Sequence, residues 1–175
     1  YSCSAAPVPG RRTPPLMSVP TLSPTVMVNA CYCHVSIRAD DAREMVDFYG
    51  DVFDMEPIPT PDFDETVLWV ACGDLQLHFV ETDAPAPEFN HHALHVDDFE
   101  AVYQRLLAHE GATFEALGDP DEHFVEGAPP VYRMPNDSVQ TYFRDPSGNL
   151  VELDSPDADA LDESIVTNVR TREDV

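Results

Sequence analysis

His34-Val-Ser-Ile-Arg-Ala-Asp-Asp41 returns later in the chain as His91-His-Ala-Leu-His-Val-Asp-Asp98. Each copy alternates in strand fashion and ends in an Asp pair suited to capping a helix. Helical stripes follow both. Met45, Phe48, Tyr49 and Val52 lie on one side of residues 42–53, and Val102 and Leu106 do the same in 99–109. Each copy then supplies more strands. The first gives 66–71 and 75–81 around the Gly73-Asp74 turn, and the second gives 139–144 and 149–154 around Asp145-Pro-Ser-Gly148. Weaker strands are expected near 55–58 and 113–117. Two such β-α-β-β-β units are stable together when each covers part of the other's sheet.

Alternation decides which side chains leave the helix-covered face. In the first opening strand Val35, Ile37 and Ala39 face the helix, so His34, Ser36 and Arg38 face away. In the second, His92, Leu94 and Val96 take the helix side, so His91, not His92, is the counterpart of His34. The closing strands repeat the logic. Gln76, His78 and Val80 lie opposite Leu77 and Phe79, while Leu150, Glu152 and Asp154 lie opposite Val151 and Leu153. Four potential metal ligands, His34, His78, His91 and Glu152, therefore fall at repeat-equivalent places on the concave side. Three imidazoles and a carboxylate suit Fe, Ni, Zn, Mn or Co better than Ca or Mg.

The two His…Asp-Asp strands and Tyr142-Phe-Arg-Asp-Pro-Ser-Gly-Asn-Leu-Val-Glu152 resemble the glyoxalase, fosfomycin-resistance and extradiol-dioxygenase proteins of the vicinal-oxygen-chelate superfamily. The resemblance spans residues 31–155. It implies an α+β fold of two paired βαβββ modules (31–82 and 91–155) forming a cupped mixed sheet with helices on its outer face. It also implies one divalent metal ion held by His34, His91 and Glu152, usually with His78 as a fourth ligand. The function it implies is that of a metal-dependent lyase or isomerase, acting on a small substrate with vicinal oxygens through a stabilised enediolate. Glu152 or His78 would be the base, and Tyr142 either a donor to substrate or part of the wall. Gln140 shares the side of Tyr142, and Arg38 and Arg133 are candidates for holding a substrate carboxylate.

Two other functions compete. An extradiol dioxygenase would use an iron triad of His34, His91 and Glu152, but residues 133–141 lack the histidine that family places before the tyrosine. A metal-free binding protein of the bleomycin-resistance kind would not need the ligand set. The other histidines are assigned blander places. His92 belongs near the core or a strand edge, His95 lies beside the site without ligating, and His109 and His123 lie on the surface.

Composition bounds the partners. The chain of 175 residues carries 33 acidic groups against 9 basic ones, all arginine, for a net charge of −24. That surface repels phosphate, which argues against nucleic acid and anionic membranes, and no apolar run reaches the ~20 residues of a membrane span. Lysine-free acidity of this degree suits a high-salt cytoplasm, where screening removes self-repulsion. Cys31-x-Cys33 has no second clip to complete a metal site and reads as buried small residues, with Cys3 and Cys72 elsewhere. Residues 1–30, with six prolines, are expected to be disordered, with Met17 or Met27 as the true start. The acidic tail of 156–175 is expected to dock loosely or not at all, and a homodimer is left open.

Overall fold

The computed structural model describes residues 32–171 except 64, 65, 117, 119, 126 and 127. The chain divides into units 1–32 and 33–175, and every element below belongs to the second. The expectations for residues 1–30, Met17, Met27, Cys3 and Cys31 lie outside the described residues.

The first module runs β1 (His34–Ala39), α1 (Ala42–Phe53), β2 (Pro57–Ile58), β3 (Val67–Cys72) and β4 (Leu75–Glu81). The second runs β5 (His91–His95), α2 (Phe99–Ala108), β6 (Thr113–Glu115), the short α3 (Pro120–His123), β7 (Val131–Arg133), β8 (Val139–Arg144) and β9 (Leu150–Ser155). The Asp pairs cap as their chemistry requires. Asp41 accepts from the N–H groups of Arg43 and Glu44 at 2.8 and 3.1 Å, and Asp98 from that of Ala101 at 3.0 Å. Met45, Phe48, Tyr49 and Val52 are buried on α1, and Phe99, Val102, Tyr103 and Leu106 on α2.

The sheets are open and mixed. One has the order β1-β4-β3-β2, and in the other β5, β9, β8 and β7 run side by side, with β6 pairing the far end of β8. In both modules the opening strand pairs parallel with the closing one, which pairs antiparallel with its predecessor. The registers reproduce the repeat: Ser36 and Trp69 flank His78, and Ala93 and Tyr142 flank Glu152. His78 and Glu152 are thus equivalent, as are His34 and His91.

One core spans both modules, with Ala39, Phe48, Tyr49 and Phe79 of the first in a cluster with Leu94, Leu106, Phe143 and Leu153 of the second. The Asp145–Asn149 turn fastens them. Asp145 accepts from the backbone N–H groups of Ser147 and Asn149, from the Asn149 amide, and from the Tyr49 hydroxyl of α1 at 3.2 Å. Ser147 Oγ accepts from Asp40 N at 2.9 Å, and Asn149 Nδ2 donates to the Arg38 carbonyl at 2.9 Å. Gly148 turns the chain at φ 80°, where a side chain is strained, and a Cβ there would also meet Ala86 at 3.3 Å.

Two expectations are corrected. The C-terminal segment docks as far as residue 171: Ala158, Val166 and Asn168 are buried, and β10 (Val169–Thr171) pairs parallel with β7. Its apolar anchors are irregularly spaced among acids, so no helix or strand period marks them, and the pairing uses backbone groups that carry no side-chain signal. Cys33 is exposed rather than buried, because the strand begins only at His34.

Candidate functional site

The closing strand of the second module brings His91, Glu152, Tyr142 and Gln140 together. The Tyr142 hydroxyl is 2.6 Å from Glu152 Oε2 and 3.1 Å from Gln140 Oε1, and the carboxylate is buried. His91 Nε2 lies 3.4 Å from the same Oε2. On the far side of its ring, His91 Nδ1 is 3.1 Å from the carbonyl oxygen of Phe89. A carbonyl only accepts, so Nδ1 carries the proton. Nε2 on the other side of the ring then faces a carboxylate, an arrangement that needs a proton or a cation between the two.

The equivalent place in the first module holds a stack of rings. His78 lies against Trp69 at 4.1 Å with planes 7° apart, and against His34 at 4.3 Å with planes 10° apart. His78 Nε2 is 3.0 Å from Gln76 Oε1, and His34 Nδ1 is 3.1 Å from Cys33 Sγ. Burial and then the neighbouring His34 lower the His78 pKa, which keeps that ring neutral. Imidazole nitrogens ligate in the plane of the ring. Two nearly parallel, stacked rings therefore cannot direct lone pairs at one ion without one of them turning.

The structure thus groups the four proposed ligands as two pairs, and among the described residues no three His, Cys, Asp or Glu side chains form a group able to hold a metal. The donor chemistry nevertheless fits a transition metal. The 3.4 Å between His91 and Glu152 matches the roughly 3.0–3.4 Å that separates two ligands each ~2.1 Å from one ion. The backbone carbonyl behind His91 is the usual device that fixes a ligating tautomer.

His92 turns the other way, its Nε2 3.5 Å from the Tyr49 hydroxyl of α1; burial and then His91 lower its pKa to about 4. His95 reaches Asp154 at 3.3 Å. Arg38 lines a cavity of about 260 Å³ between β1 and β5 together with Ser36, His91 and Asn149. Its guanidinium is held by Asp40 and the carbonyls of Ser147 and Thr82. Arg133 is not brought to the cup. It shares a register position with core residue Val139 and pairs with Asp159 at 3.1 Å and the Ala158 carbonyl at 2.9 Å, because the docked tail supplies its partners.

Three residues escape the sequence reading. Trp69 carries no ligand chemistry of its own, although its place opposite His78 marks it as the counterpart of Tyr142. Tyr132 belongs to a strand of three residues, too short for a period, and packs with Tyr142 and Leu150 on the cup face. His123, expected on the surface, is 2.7 Å from the Tyr132 hydroxyl through Nδ1. The four-residue α3, too short to show a period, carries it there, and Asn168 of the tail donates to its carbonyl at 2.9 Å.

The paired modules agree with the sequence comparison. The model of the Glyoxalase/Bleomycin resistance protein/Dioxygenase superfamily matches residues 32–153. The chain belongs to that superfamily. No curated protein matches it significantly in sequence. Among solved structures it resembles a putative glyoxalase family protein from Bacillus anthracis, at 24% identity and a TM-score of 0.52 over 74% of this chain and 98% of that one. Lactoylglutathione lyase from Agrobacterium tumefaciens gives 22% identity and a TM-score of 0.51, covering 79% and 100%. A fosfomycin resistance protein from Mesorhizobium loti gives 17% and 0.51, covering 74% and 93%. At these identities the likeness is one of fold. Members of this superfamily typically bind a divalent metal and small substrates. Among the described residues no helix is long and apolar enough to cross a membrane.

Proposed function

We propose that this glyoxalase-superfamily chain is a metal-dependent lyase or isomerase for a small substrate with vicinal oxygens. The observation that carries the reading is the His91–Glu152 pair, in which Nε2 of a ring anchored by the Phe89 carbonyl faces a buried carboxylate at 3.4 Å. His34, His91 and Glu152 would hold the ion, and it would supply a Lewis acid for negative charge that develops on the substrate oxygens.

The chain's own groups do the rest. Tyr142 holds Glu152 by donating its hydroxyl proton, with Gln140 Oε1 as the second, longer acceptor of the same hydroxyl. The stack sets His78 apart from a ligand shell shared with His34, so its role here is to take a proton from the oxygen-bearing carbon next to the substrate carbonyl, which leaves the electron pair to the enediolate. With Nε2 donating to Gln76, the accepting atom is Nδ1. Leu150, Tyr132 and Tyr142 form an apolar wall that limits water.

A ring-cleaving dioxygenase is the second reading, favoured by one observation: His123 beside Tyr132 returns an imidazole to the cup face that the 133–141 segment lacks. In a third, metal-free binding reading, His91 is doubly protonated and merely pairs with Glu152.

Metal analysis of protein purified without chelators, followed by titration with Fe, Ni, Zn, Mn and Co, separates the readings. The first two expect one tightly held ion per chain, and a panel of hemithioacetal, acyl-CoA and catechol substrates then divides them. His78→Gln should keep the metal and lose turnover. Failure of all five metals to bind would leave the ion pair and the binding protein.

A further inference from the structure

The internal repeat exposes a donor that the cup does not use. Trp69 stands opposite His78 in the β3–β4 pairing as Tyr142 stands opposite Glu152 in the β8–β9 pairing. In the second module the hydroxyl is consumed by its cross-strand partner at 2.6 Å. In the first, the indole lies flat on His78, 4.1 Å away with planes 7° apart. An indole N–H lies in the plane of its ring, so it runs alongside the imidazole and cannot donate to it. Trp69 Nε1 is buried and has no hydrogen-bond acceptor among the described residues. A buried indole N–H ordinarily has a partner, and a native exception calls for a reason.

We infer that Trp69 is a specificity-determining residue whose N–H is kept for an oxygen of the substrate chelated in the cup. The inference rests on the metal-dependent reading above. The chemical class follows from the surroundings. Trp69 is flanked by Phe63 at 6.4 Å, and the opposite half offers the Tyr132–Tyr142–Leu150 wall, which suits a flat, conjugated body. The arginines of the strands around the cup are already engaged, Arg38 by Asp40, Arg133 by Asp159 and Arg144 by Glu115. A phosphonate or a multiply carboxylated conjugate thus finds none of these three arginines set aside for it, in a chain of net charge −24. The ligand is a planar oxygen chelator whose charge is small or delocalised.

Trp69 is the only tryptophan, so it gives a single indole N–H signal in ¹⁵N-labelled protein. Zinc is added first, then tropolone, a planar chelator with two vicinal oxygens. Zinc should move the ring signals of His91 and His34. Tropolone should then shift the indole N–H downfield and slow its exchange with water. Trp69→Phe keeps a ring on His78, so zinc affinity should hold while tropolone affinity falls about tenfold, the scale of one lost hydrogen bond. Tropolone bound with the indole signal unmoved, or not bound to the zinc-loaded protein at all, overturns the inference and leaves the metal reading standing. Histidine signals that ignore zinc overturn the metal reading and this inference with it, before tropolone is added. The indole shift is read in unmodified protein, so the test survives a variant that fails to fold.

Discussion

At the scale of single residues, the two halves of the cup differ in what they ask of their side chains. Glu152 is positioned by a hydroxyl and faced by an imidazole anchored through its other nitrogen. Tyr142→Phe should therefore weaken metal binding about 10–100-fold without unfolding the chain, the usual cost of losing a group that orients a ligand; isothermal titration with zinc measures it. Glu152→Ala should abolish metal binding and turnover together, and retained metal content in that variant would remove the carboxylate from the site. His92 makes a separate, titratable contribution. Its folded pKa is lowered from 6.5 to about 4, chiefly by burial, so between these values the unfolded chain binds the proton more tightly. Stability from this group is intact above ~6.5 and is lost as the pH falls toward 4. Metal-free protein should lose about 2 kcal/mol more than His92→Phe between pH 7 and 4.5, as read from urea midpoints at the two pH values.

The elements show why some of this was legible. The two strand–helix copies carry their faces openly: α1 and α2 bury the stripes their spacing marks, and β1 and β5 turn His34 and His91 away from those helices. β7, α3 and β10 are three or four residues long, so neither a period of 2 nor one of 3.6 is sampled. The Asp145–Asn149 turn is legible as a motif, yet what it does appears only when Tyr49, Arg38 and Asp40 arrive from the other module. Asp145→Ala strands the buried Tyr49 hydroxyl and Asn149 amide and should cost about 3 kcal/mol. Denaturant melts of the variant check this, and a change within ~0.5 kcal/mol would show that the core alone joins the modules.

For the whole molecule the dominant fact is charge. With 33 acidic and 9 basic groups, the folded chain concentrates like charge that the unfolded chain spreads out. Raising KCl from 0.1 to 2 M contracts the Debye length from ~10 Å to below ~3 Å and should raise the melting temperature by several degrees. Scanning calorimetry in KCl would show it, and a melting point independent of salt would place the acids where they do not repel. The same field disfavours anionic substrates at the cup.

The sequence by itself determined the repeat, the helix faces, the caps and the side of the sheet on which His34, His78, His91 and Glu152 lie. These follow from short-range rules, because a strand's alternation and a helix's turn act over a few residues. Only the tertiary structure decided how those side chains meet. His78 stacks between Trp69 and His34, while His91 faces Glu152; His123 reaches Tyr132 from the end of α3, and Arg133 turns away from the cup to partners in the tail. Such contacts join residues far apart in the chain, through ring orientations and backbone pairings that no local pattern encodes.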